Sequence, residues 1–81
     1  MRTMRTMSKR DQTLTLFGRN VARFRNKCGF SQDTLAEKAD LDRTYISGIE
    51  RGVRNPGIKT VLRIARALNV TVGDLCKQVD A

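Results

Sequence analysis

An all-α domain of five short helices is what the sequence predicts, and three observations carry it. Apolar residues recur at alternating three- and four-residue steps, the spacing of one helical face, in successive segments from Leu14 to Val79. Gly29, Asp40 and Pro56 punctuate the chain between those segments. Ser31, Asp42 and Thr71 stand where helices need an N-cap, each flanked by an apolar pair spaced as a staple.

In chain order, residues 1–12 hold MRTMRTM and the cations Arg2, Arg5, Lys9 and Arg10 without apolar periodicity, and read as a flexible basic tail. Methionines at positions 1, 4 and 7 are what neighbouring start codons would leave, so the tail is assigned no role, although a basic arm of this kind can follow DNA. The folded domain is expected over 13–81. Its first helix is predicted over about 13–27, with Leu14, Phe17, Val21, Phe24 and Cys28 as the inner stripe and Gly29 as the C-terminal glycine. Arg19, Arg23 and Lys27 lie on the outer side. Such a helix can rest on an anionic membrane, but so short a chain needs the stripe for its core.

Ser31 then opens a second helix, stapled by Phe30 and Leu35, and Asp42 opens a third, stapled by Leu41 and Ile46. Asp40 sits at the turn between them, a residue type that tolerates a left-handed backbone. Leu35, Ala36, Ala39, Leu41, Ile46 and Ile49 supply one apolar surface to both helices, with the two alanines allowing close packing. Two helices and a tight turn make a helix-turn-helix. Pro56 stops the chain from continuing as helix after Arg51. A fourth helix is predicted over about 58–68, with Ile58, Val61, Leu62, Ala65 and Leu68 inward, and Thr71 with Asp74 forms a capping box for a fifth, whose stripe is Val72, Leu75, Cys76 and Val79.

A chain of 81 residues forms one domain with a modest core and no large internal cavity. The formal net charge of +8 points to a polyanionic partner. Histidine is absent, which removes the commonest general base and metal ligand, and no clustered carboxylate pair replaces it. The chain is therefore read as neither an enzyme nor a metal or cofactor protein. Cys28 and Cys76 fit no metal-ligand spacing and read as small core residues kept reduced in a cytosol, though spacing alone leaves a disulfide open. No apolar run approaches the ~20 residues of a membrane span and no signal segment is present, so a cytoplasmic location is expected.

Stepping about 100° per residue along the third helix puts Ile46 and Ile49 inward and Glu50 at their edge. Thr44, Ser47, Gly48 and Arg51 fall on the opposite side, with Arg43 on its shoulder. A recognition helix needs this arrangement, because its N-terminal residues must reach base edges from the major groove. Arg43, Thr44 and Ser47 are the candidate base contacts.

Gln32, Ala36, Leu41, Ile46, Ile49, Glu50, Arg51 and Gly52 sit where the Cro and repressor-like (XRE) regulators carry those residue types, and from about Phe17 to Cys76 the chain resembles that family. LDRTYISGIERGVRNP, Leu41 to Pro56, is most similar to the small controller proteins of restriction-modification systems; Asp40 stands where the family usually has glycine. The resemblance implies a repressor-like DNA-binding fold, a sequence-specific transcriptional regulator, and an ion pair between Arg25 and Glu50. It also implies DNA-backbone contacts from Arg54, Asn55 and Lys59; the residues themselves add Gln32 and Thr34, near the free N–H groups that start the second helix, Tyr45, whose hydroxyl can reach a phosphate or sugar, and Arg51 on the outer side of the third helix. A phage-type repressor, or an antitoxin or adaptor using the same fold to hold a protein, are the alternative readings.

A single recognition helix reads only a few base pairs, so a symmetric homodimer on two half-sites is expected. Its contact is placed on Val72, Leu75 and Val79, with the end of the fourth helix contributing. The partners expected are thus a double-stranded DNA operator and a second copy of the chain, with RNA polymerase as a further candidate and no membrane.

Overall fold

The structure, a computed structural model, describes residues 2–79, with side chains from Gln12 onward. Five helices follow one another: α1 (Arg2–Lys27), α2 (Gln32–Ala39), α3 (Arg43–Glu50), α4 (Ile58–Leu68) and α5 (Val72–Leu75). No strand occurs among the described residues. α1 begins at Arg2 and not near Thr13, and the composition explains this, since the stretch contains no glycine or proline and is rich in Arg, Met and Lys. The basic side chains of the tail, to which the sequence assigns no role, lie outside the described side chains.

Four of the helices end in the same way. Within two residues of the helix end the backbone turns left-handed, at Gly29 (φ 73°), Asp40 (57°), Gly52 (78°) and Asn69 (58°). Each then shows the paired bonds of a Schellman motif. At the end of α1, Gly29 N donates to Asn26 O at 3.0 Å and Phe30 N to Arg25 O at 3.1 Å; at the end of α2, Asp40 N donates to Glu37 O at 3.2 Å and Leu41 N to Ala36 O at 2.8 Å. The motif draws the next apolar residue back onto the helix, so Phe30, Leu41 and Val70 pack on the core. Asp40 thus sets the angle of the helix-turn-helix without a glycine.

The helix starts are less uniform. The Ser31 hydroxyl accepts from Thr34 N at 3.0 Å, as expected. Thr71 and Asp74 complete their capping box with bonds of 2.9 and 3.0 Å, and the second of these, donated by Thr71 N to the carboxylate, holds the Asp74 carboxyl below its usual range. Asp42 departs from expectation: it has the extended backbone of an N-cap (φ −75°, ψ 138°), yet its side chain accepts no capping bond. α3 is held instead by the apolar residues behind it.

Those residues form one cluster. Phe17 and Val21 of α1, Leu35, Ala36 and Ala39 of α2, Ile46 and Ile49 of α3, Val61, Ile64, Ala65 and Leu68 of α4, and Leu75 of α5 are all buried. α1 packs on α3, α2 on α3 and α4, and the single turn of α5 closes against α1 and α4. Asn20 fastens that closure, its Nδ2 donating to Leu75 O at 2.8 Å and Lys77 O at 3.0 Å.

Several placements need correction. Ile58 and Leu62 are 66% and 37% exposed, and Ile64, left out of the expected stripe, is fully buried. α4 is apolar over more than one face, and the face turned to the core is that of Val61, Ile64, Ala65 and Leu68. Cys28 and Cys76 are exposed free thiols, because both fall just past the end of a helix, where the stripe no longer faces the core. Leu75, placed at a dimer contact, is fully buried within the monomer, and Val72 and Val79 are half-buried against the same cluster. Among the described residues no helix is long and apolar enough to cross a membrane.

Candidate nucleic-acid interface

α3 owes its position to Ile46 and Ile49, both fully buried, which fix its inner side against α1 and α2. The backbones of α1 and α3 come so close that a Cβ on Gly18 would lie 2.3 Å from Ile49 O and 2.7 Å from Glu50 O. Gly18 therefore sets how deeply the end of α3 seats in the domain. Its signal in the sequence was a glycine within a helical stripe, which usually marks such an approach.

Arg25 and Glu50 make the second tie between these helices. Arg25 Nε donates to Glu50 Oε2 at 2.6 Å and Nη2 to Oε1 at 2.9 Å, a bidentate pair with side-chain exposures of 14% and 7%. The bond to Glu50 holds the guanidinium pKa above its ordinary value. Arg25 Nη1 also donates to Phe30 O at 2.9 Å, so one side chain fastens the end of α1, the start of α2 and the end of α3. Gln32 joins the same network, its Nε2 donating to Glu50 Oε1 at 2.9 Å. The residue read as a backbone contact and the residues read as an ion pair are thus one connected group.

Arg43 and Thr44 stand exposed on the outer side of α3, and Ser47 is half-exposed beside them. Arg43 is not idle: its Nε lies 3.3 Å from Asp33 Oδ1 of α2, a pair exposed on both sides. Asp33 was not singled out from the sequence, since only the tertiary angle between α2 and α3 brings it to Arg43. Thr34 uses its side chain within the helix start, its hydroxyl 2.9 Å from that of Ser31. Arg51, Arg54, Asn55 and Lys59 are exposed along the chain that leaves α3 and enters α4. Arg51 Nε donates to Ser47 O at 3.4 Å.

Tyr45 is half-buried, packed on the core by its ring, and the Arg54 guanidinium lies 5.7 Å from the ring centroid. Gly48 is beneath the Arg54 stem: a Cβ there would meet Arg54 Cγ at 2.6 Å. A glycine in mid-helix costs ~1 kcal/mol relative to alanine. The outcome is a convex, polar and cationic helix face backed by an apolar core.

Comparison with known proteins agrees with this geometry. A family model described as helix-turn-helix matches residues 21–75. The control protein C.BamHI of Bacillus amyloliquefaciens is 48% identical over 61 residues, 74% of this chain and 75% of that protein. The crystal structure of the restriction-modification controller protein C.AhdI from Aeromonas hydrophila superposes with a TM-score of 0.75 at 40% identity, covering 76% of this chain and 94% of that one. The controller C.Esp1396I, solved as a tetramer in complex with its natural 35 base-pair operator, superposes with a TM-score of 0.74 at 37% identity, covering 84% and 90%. The chain belongs to the helix-turn-helix family, as a transcriptional regulator of the repressor-like (XRE) type whose relatives include restriction-modification controller proteins.

Proposed function

We propose that this protein is a controller-type regulator that binds a double-stranded operator as a symmetric homodimer, each protomer laying α3 in the major groove. One observation carries the reading: the only side of α3 that the core leaves free presents Arg43, Thr44 and Ser47, flanked by Arg51, Arg54 and Lys59. A face meant for a protein partner would be apolar at its centre, and this one is polar and basic. In the cytoplasm, with no further domain among the described residues to sense a ligand, its concentration is the quantity such a chain reports. RNA polymerase is a partner wherever the bound site activates a promoter.

Enrichment of preferred sites from a random duplex pool, followed by titration of single substitutions, tests the reading. Arg43→Ala or Thr44→Ala is expected to relax preference at particular base positions by ~1 to 3 kcal/mol per good contact. Lys59→Ala is expected to weaken selected and random duplexes alike. A uniform loss for all three variants would show that the reading face is misplaced.

The dimer contact is assigned to α4 and not to the fully buried Leu75. Ile58 and Leu62 are exposed on one side of α4, one helical turn apart, and the preceding loop adds Val53 at 63% exposure. C.Esp1396I assembling as a tetramer on its operator supports paired use of such domains. Sedimentation equilibrium should find a concentration-dependent dimer that Leu62→Asp shifts to monomer with its helical circular dichroism intact. A dimer that persists in Leu62→Asp places the contact elsewhere.

A further inference from the structure

We propose that Gly48 is a positioning residue for DNA binding: its missing side chain is the seat on which Arg54 lies, which holds that guanidinium over Tyr45 at the edge of the recognition helix before DNA arrives. The proposal rests on the DNA-binding reading above. Three glycines of this fold lie within helices: a Cβ on Gly73 would make only an ordinary 3.6 Å contact with Thr71 Oγ1, whereas Gly18 and Gly48 lie tightly against other atoms and differ in kind. The Cβ missing from Gly18 would strike the carbonyl backbone of α3, so the packing of the domain requires that glycine. The three atoms nearest to the Cβ missing from Gly48 all belong to the Arg54 side chain, Cγ at 2.6 Å, Nε at 3.4 Å and Cδ at 3.6 Å. Arg54 is exposed and can move away, so the fold itself would accept alanine at 48 and gain helix propensity by it.

What alanine would remove is the placement of Arg54. Three contacts now define it. Val53 N donates to Gly48 O at 3.0 Å, which fixes the backbone next to Arg54 over the last turn of α3. The stem lies across Gly48, and the guanidinium ends 5.7 Å from the Tyr45 ring centroid, within cation–π range. Tyr45 is itself held by the core, so the ring is a fixed platform. A long cation held in place before binding loses less rotamer freedom when it meets a phosphate or base, so affinity rises with no added contact.

Gly48→Ala, Arg54→Ala and the double variant, beside wild type, test this through thermal stability, affinity for a random-sequence duplex, and NMR of the free protein. In wild type the Arg54 side-chain protons are expected to carry an upfield ring-current shift that Tyr45→Leu abolishes, and Gly48→Ala should abolish it as well. Gly48→Ala should raise Tm by ~4 °C or more while weakening duplex binding ~3- to 10-fold. In the Arg54→Ala background it should still raise Tm but change affinity less than about twofold, because its effect on binding runs through Arg54. An equal loss of affinity in both backgrounds would overturn the proposal and assign Gly48 to close approach of the helix to DNA. A ring-current shift that survives Gly48→Ala would overturn it too, whatever the affinities. Wild type that fails to bind any duplex would bring down the DNA-binding reading itself, whereas wild-type binding untouched by Gly48→Ala would remove only this inference.

Discussion

Replacing Arg25 by methionine while Glu50 remains is expected to destabilise the protein by ~3 to 5 kcal/mol, the usual consequence of stranding one member of a buried pair. Glu50 is the more enclosed partner, at 7% side-chain exposure, and without Arg25 its carboxylate would retain only the 2.9 Å bond from Gln32. Arg25→Met also removes the 2.9 Å bond to Phe30 O, which lies beside the turn into α2. Glu50→Gln should cost less than Arg25→Met, since a neutral amide still accepts from the guanidinium and Arg25 is better exposed. Adding Glu50→Gln to Arg25→Met should recover part of the loss, because the remaining buried group is then uncharged. Urea unfolding of the four proteins measures this as a coupling energy, and losses that simply add would show that the two side chains do not act as a pair. The consequence reaches function as well. The network ends at Gln32 and at the last residue of α3, so loosening it also frees the angle at which α3 is presented.

The helices and most of their boundaries were legible in the sequence because each is marked by local chemistry. Ser31 and the Thr71–Asp74 box act on the backbone within three residues, and Gly29 and Asp40 take their left-handed turns regardless of what packs on them. The Arg25–Glu50 pair was accessible through family resemblance and the helical step of α3. What stayed illegible depends on the angles between helices. α4 has apolar residues at Ile58, Val61, Leu62, Ile64, Ala65 and Leu68, too many for one stripe, so periodicity could not say which would be left outside. Leu75 looked available for a partner because the core was assumed to be complete without it; in the fold it is the plug between α1 and α4. Asp33 beside Arg43, Gly18 beneath the end of α3, and Arg54 across Gly48 are likewise products of tertiary placement.

Affinity for operator-like DNA is expected to fall ~10³-fold when monovalent salt rises from about 50 to 200 mM, the largest effect this structure implies. Among the described residues, the ring around α3 holds three cations without a carboxylate partner, Arg51, Arg54 and Lys59, so the proposed dimer would bring about six to the phosphates. Each neutralised phosphate contributes about −0.9 to the slope of log K against log salt, so the proposed dimer's slope should be about −5. Gln32, Thr34, Tyr45 and Asn55 can hold phosphates only by neutral hydrogen bonds and should leave the slope unchanged. Lys59→Ala should then reduce its magnitude by ~2, one contact from each protomer. The control is the other basic surface. Arg19, Arg23 and Lys27 are exposed on the side of α1 turned from the core, where Arg23 and Lys27 lie near the Phe24 ring. If the net charge of +8 binds DNA merely as a diffuse field, Arg19→Ala should lower the slope as much as Lys59→Ala does. If the polyanion sits where α3 presents its reading face, Arg19→Ala should leave the slope intact and change only the rate of encounter at low salt. Equal slopes for the two variants would refute the localised interface.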